Sequence, residues 1–161
     1  FHGLQFFGVE MYYEFFENLK LLNKIARKDK SKKIIVNLHL SHKNLVQDIQ
    51  SLFLNLIITS EKIDKLIDKS FVVISYSSTS IEDAIASNRF VVLLDQWKRY
   101  KHCDAEINPL KGNHPIYYVN RKEDLLKSIT TLRNSKNINY SKVSFGKNST
   151  QNISQMFDKI I

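Results

Sequence analysis

Residues Phe71 to Asp95 read FVVISYSSTSIEDAIASNRFVVLLD, and the succession of residue types in this stretch decides the fold class. Phe71-Val72-Val73-Ile74-Ser75 is rich in β-branched residues and too short for a helix, which predicts a buried strand. Ser75 to Ser80 reads as a hydroxyl-rich turn, Ile81 to Ser87 as a helix, and Phe90 to Leu94 as a second, fully apolar strand. Strand, turn, helix, strand is a βαβ unit. Strands with no polar face belong in a parallel sheet covered on both sides.

The same alternation extends outward. Toward the N-terminus, Met11, Phe15, Leu19, Leu22 and Ile25 recur at helical spacing between Glu10 and Arg27, with Lys20, Lys24, Arg27 and Lys28 gathered toward the C-terminal end. Asp29 to Lys33 is a polar turn, Ile34 to Leu40 a predicted strand, Leu45 to Phe53 a helix and Leu56-Ile57-Ile58 a strand. Thr59-Ser60 then precedes a capped helix over Glu61 to Ile67. Toward the C-terminus, an irregular stretch holds Pro109 and Gly112. A strand over Ile116 to Val119, a helix over Lys122 to Leu132 and a closing helix over Asn148 to Ile161 follow. The expectation is a doubly wound α/β domain with a parallel, Rossmann-like sheet spanning residues 1–161, without internal repeats.

Composition agrees with one globular domain: 161 residues, 43% hydrophobic and 25% charged. Apolar runs are strand-sized, well short of the roughly 18–20 residues of a membrane span. A single cysteine, Cys103, makes no internal disulfide and no Cys-based zinc site, which fits a reducing compartment. The net charge of +8 is uneven: residues 1–95 carry 12 Lys/Arg against 11 Asp/Glu, and residues 96–161 carry 12 against 5. The excess is dispersed apart from Lys98-Arg99-Tyr100-Lys101, without the aromatic interleaving of RNA binders or a zinc-finger pattern, so no nucleic-acid partner is expected. The chain begins at Phe1, and Phe1 to Met11 reads as the middle of something longer.

In parallel sheets ligands bind beyond the carboxyl ends of the strands. The turn Ser75-Tyr76-Ser77-Ser78-Thr79-Ser80 offers hydroxyl and backbone donors suited to a phosphate, although no glycine-rich phosphate loop is present. Thr79-x-x-Glu82 and Ser80-x-x-Asp83 also approach a capping box, so spacing leaves a phosphate site and a plain helix start both open. Asp104-x-Glu106 follows no apolar strand and reads as solvated charge, and His102-Cys103-Asp104 lacks an activating context for a nucleophile. Lys98, Arg99 and Lys101 suit either an anionic ligand or a solvated loop.

As a pattern, Phe71 to Asp95 resembles the C-terminal nucleotide-sugar-binding domain of GT-B-fold glycosyltransferases: apolar strand, Ser/Thr turn, Glu one turn into an Ala-rich helix, second apolar strand. Tyr12 to Leu22 with Lys33 to His42 is similar to the helix and strand ending in His that precede it in bacterial surface-polysaccharide transferases. Glu123-Asp124-Leu125-Leu126 with Phe145-Gly146-Lys147 resembles their closing segment. The resemblance implies that Ser77, Ser78, Thr79 and Ser80 approach the phosphates of a UDP- or CMP-type nucleotide sugar and that Glu82 accepts from ribose hydroxyls. It implies His39 near the phosphate, with Leu40 where those families carry Pro, and Asp95-Gln96 against the donor sugar.

It further implies no metal and no cofactor, a cytoplasmic enzyme at the inner face of the membrane with peripheral membrane association, and an N-terminal acceptor domain outside this chain. The isolated domain is then expected to be inactive, with the catalytic base unassigned. Two alternatives stay open. One is the corresponding half of a sugar-nucleotide 2-epimerase or polyol-phosphate transferase, although Ser77-Ser78-Thr79 lacks the epimerase glycines. The other is a non-catalytic α/β binding module.

Overall fold

Why the chain alternates is visible at the ends of its elements. In the computed structural model, which describes residues 2–31, 33–75, 80–94, 105–107, 114–119, 121, 123–135, 139–140 and 143, the first helix, α1, spans His2–Lys28. Leu19, Leu22, Ile25 and Ala26 are buried apolar side chains of this helix, at the spacing of one face. Arg27 and Lys28 close its last turn, where cations complement the exposed carbonyls. Asp29 then stops it: its carboxylate accepts from the Ser31 N–H at 3.1 Å and from the Ser31 hydroxyl at 2.6 Å.

Strand β1 (Ile35–Asn37) follows, then a 3₁₀ segment (Leu40–Leu45), α2 (Val46–Leu52) and β2 (Ile57–Thr59). β1 and β2 pair in parallel, Ile35 opposite Ile57 and Asn37 opposite Thr59. β1 is shorter than the predicted Ile34–Leu40. Leu38 still donates to Thr59 O at 2.8 Å, but His39 leaves the ladder because its imidazole accepts from the Ser41 N–H and starts the 3₁₀ turn.

After α3 (Ile63–Ile67) come β3 (Val72–Ser75), α4 (Ser80–Ala86), β4 (Phe90–Leu93), β5 (Glu106–Ile107), β6 (Ile116–Tyr118) and α5 (Asp124–Asn134). Their sheet has the order β3-β4-β6-β5, every neighbouring pair parallel. β4 and β6 are buried throughout, whereas β3, on the outside of the order, is half-buried. Ile81, Ala84 and Ile85 form the buried side of α4, and Leu125, Ile129 and Leu132 that of α5.

α4 ends in a Schellman motif. Arg89 N–H reaches Ala84 O at 2.8 Å and Asn88 N–H reaches Ile85 O at 2.9 Å. Asn88 takes the left-handed conformation this requires, with φ at 54°. The Arg89 side chain donates to Asp68 O at 2.7 Å, tying the start of β4 to the segment after α3.

The chain is thus mixed α/β with two small parallel sheets, and it divides into two compact units, Phe1–Ile63 and Asp64–Ile161. Among the described residues no helix is long and apolar enough to cross a membrane. The expected closing helix over Asn148 to Ile161 lies outside the described residues.

Candidate functional site

In the second unit, the carboxyl ends of β3 and β4 are locked side by side: Leu94 N–H donates to Ser75 O at 2.9 Å, and Val119 N–H to Leu93 O at 3.0 Å. Three parallel strands are thus in register at this edge, the one beyond which ligands bind in α/β sheets. Ser80 opens α4 and is half-buried; Glu82 and Asp83 stand exposed in its first turn while Ile81 between them and Ser80 is fully buried. Burying Ile81, Ala84 and Ile85 orients α4 so that Glu82 faces away from the core. Both Ser80 and Glu82 take part in polar interactions within the chain. Ser77, Ser78, Thr79, Asp95 and Gln96 lie outside the described residues, as do Lys98, Arg99, Lys101 and Cys103.

His39 belongs to the first unit, one residue past the last ladder bond of β1. It is exposed, as are Ser41 and His42. The Ser41 hydroxyl sits 2.8 Å from His39 Nδ1 and 3.3 Å from His42 Nδ1, and the two rings meet edge to face with centroids 6.4 Å apart. A hydroxyl carries one proton, so it donates to one imidazole and accepts from the other. Both Nδ1 atoms are turned to Ser41, and among the described residues no hydrogen bond reaches either Nε2. Two residues before His39, the buried side-chain oxygen of Asn37 has no hydrogen-bond partner among the described residues. A buried acceptor left open is unusual in a folded protein, and here it marks the carboxyl end of β1.

Ser41 and Asn37 were not singled out from the sequence. The signal for Asn37 was a lone amide in the run Ile34-Ile35-Val36-Asn37-Leu38; Ser41 gave none beyond lying between two histidines. Among the described residues there is no group of three or more His, Cys, Asp or Glu side chains able to hold a metal ion.

No protein-family model, curated protein or solved structure matches this chain.

Proposed function

We propose that this chain is the donor-binding domain of a nucleotide-sugar-dependent glycosyltransferase acting in surface polysaccharide biosynthesis, a C-terminal GT-B half with a doubly wound, Rossmann-like sheet. The observation that supports it is the parallel β3–α4–β4 unit with Ser80 and Glu82 at the carboxyl end of β3. In this reading the hydroxyls of Ser77 to Ser80 donate to the donor phosphates. The Glu82 carboxylate accepts from both hydroxyls of the ribose diol, for which a two-oxygen acceptor is suited.

The reaction breaks the bond between the sugar anomeric carbon and the phosphate oxygen, whose electron pair leaves with the nucleotide. The acceptor hydroxyl oxygen forms the new bond, and its proton passes to a base on the acceptor-binding domain. Donors aimed at the phosphates offset the charge that builds on the departing nucleotide, a contribution largest where it grows in the transition state.

Calorimetric titration of the chain with UDP, CMP, GDP and CDP tests the assignment. One of the four is expected to bind, and Glu82→Ala is expected to weaken it about tenfold, the loss of roughly one charge-assisted hydrogen bond. Absence of binding by all four, or affinity indifferent to Glu82, refutes the donor-site reading.

A further inference from the structure

The first unit carries a groove of about 510 Å³ between α1 and the C-terminal end of α2. Its floor is apolar, made by Phe16 and the buried Phe53, whose ring centroids are 6.4 Å apart, with Leu52 beside them. Its wall is the α1 stripe Lys20, Lys24 and Arg27, three exposed cations at positions i, i+4 and i+7. Lys20 is paired with Glu17 at 2.8 Å. Among the described residues no ion pair involves Lys24 or Arg27. Asn23, within the same wall, is committed to structure: its side-chain oxygen accepts from the Asn55 N–H at 3.1 Å and the Asn55 amide at 3.2 Å, fastening the turn that follows α2.

We propose that this groove docks an acidic amphipathic helix of a partner protein. Cations one helical turn apart match carboxylates repeating at i, i+4 and i+7 on a second helix, because residues at that spacing share a face. The apolar floor beside them takes a large apolar side chain from the same helix, which is how grooves of this kind recognise amphipathic helices. The recess argues for a helix over a bilayer. A flat bilayer surface meets what protrudes, which here includes Leu52 at 65% exposure, but does not enter the recess whose bottom is Phe53 at 6%; a side chain inserted from a helix meets both. The docking surface is separate from the nucleotide reading and does not depend on it.

The test is fluorescence anisotropy of the chain with a labelled synthetic helical peptide bearing Glu at i, i+4 and i+7 beside a Leu/Phe stripe, and with the same peptide carrying Lys for Glu. The acidic peptide is expected to bind, more weakly as salt rises, and Lys24→Glu with Arg27→Glu is expected to weaken it at least about tenfold. Lys65→Glu with Lys69→Glu, the same net change at two lysines that do not line the groove, is expected to leave it within about twofold at moderate salt, where charges not touching the peptide are screened. If the groove variant fails to fold by circular dichroism, Lys24→Ala with Arg27→Ala carries the same expectation. Equal loss in both double variants, binding of the Lys peptide, or no binding of the acidic one overturns the proposal. It also fails if phosphatidylcholine vesicles containing phosphatidylglycerol recruit the chain through Lys24 and Arg27 while the acidic peptide does not.

Discussion

Gln50 Oε1 accepts the backbone N–H of Ile58 at 3.0 Å, so a side chain of α2 stands where a neighbouring strand would be. Its Nε2 donates to Leu56 O at 2.9 Å, completing the donor and acceptor pattern of a strand edge over two residues. On the other side of β2, Ile57 N–H goes to Ile34 O at 3.0 Å. One amide therefore closes the edge of β2 that β1 does not reach, and an open edge is a liability for pairing with other chains.

Gln50→Met keeps the length of the side chain and removes both functions, leaving one N–H and one C=O without their partners. The expected cost is about 1–3 kcal/mol, read as a lower urea midpoint, with faster amide exchange at Ile58. Gln50→Glu keeps the acceptor for Ile58 and loses the donor for Leu56, so it should fall between. A midpoint unchanged in Gln50→Met would show that water replaces the amide without loss.

The left-handed Asn88 that ends α4 is also the acceptor for the Tyr140 hydroxyl, at 2.8 Å across 52 residues of sequence. The acceptor is the backbone carbonyl oxygen, so side-chain changes at 88 test conformation alone. Asn88→Gly should be neutral or slightly stabilising, while Asn88→Val should cost about 1–2 kcal/mol, because a β-branched residue fits that region poorly. Thermal melts of the two variants, moving in different directions or by clearly different amounts, check this.

Burial raises the pKa of Tyr140 above the ordinary phenol value, with the nearby Arg89 guanidinium opposing the shift. The folded state then favours the neutral phenol, which donates to Asn88 O. Its contribution is fully present below the unfolded phenol pKa, about 10, and is lost as pH rises through the higher folded value. Spectrophotometric titration of tyrosinate should show one fewer late-titrating group in Tyr140→Phe than in the wild-type chain. The stability difference between the wild-type chain and Tyr140→Phe should shrink only at alkaline pH.

His39 has a local role and a proposed ligand role, and one pair of variants separates them. Asn caps turns as well as His does here, so His39→Asn should preserve the melting temperature yet weaken nucleotide binding several-fold if the imidazole meets the phosphates. His39→Ala should lose about 1 kcal/mol of stability as well, the usual cost of a missing cap. Nucleotide affinity equal to wild type in His39→Asn would confine this residue to the turn.

Legibility from sequence tracked how local the cause was. The strands Val72–Ser75 and Phe90–Leu93 were readable because runs of β-branched residues have no other place to go, and the helix between them because Ile81, Ala84 and Ile85 repeat at its period. The start of α1 at His2, eight residues before the predicted Glu10, was hidden by Gly3 and Gly8, which disfavour helix in isolation. The early end of β1 turned on one hydrogen bond at His39, a competition between imidazole and ladder that propensity does not see. Gln50 looked like any polar helical residue, since its role depends on where β2 is placed. At the candidate site, the positions of Ser80 and Glu82 followed from the turn and helix signals, whereas the open oxygen of Asn37 became visible only with the packing around it.

β6 is buried along its whole length. Tyr117 in β6 is fully buried, and its hydroxyl accepts the backbone N–H of His114 at 2.9 Å. The His114 ring, also buried, packs edge to face on Tyr117 with centroids 6.1 Å apart, and its Nδ1 lies 2.9 Å from Ile116 O and 3.1 Å from Ile116 N, donating to the first or accepting from the second according to the tautomer. A tyrosine here supplies both ring volume and an oxygen that accepts the His114 N–H at the entry to the strand. Tyr117→Phe keeps the volume and strands that N–H, which should cost about 1–3 kcal/mol. Leu132→Ala, which empties a fully buried site on α5, should cost about 2–5 kcal/mol. If urea unfolding shows Tyr117→Phe at wild-type stability, the hydroxyl is dispensable and the ring alone holds the start of β6.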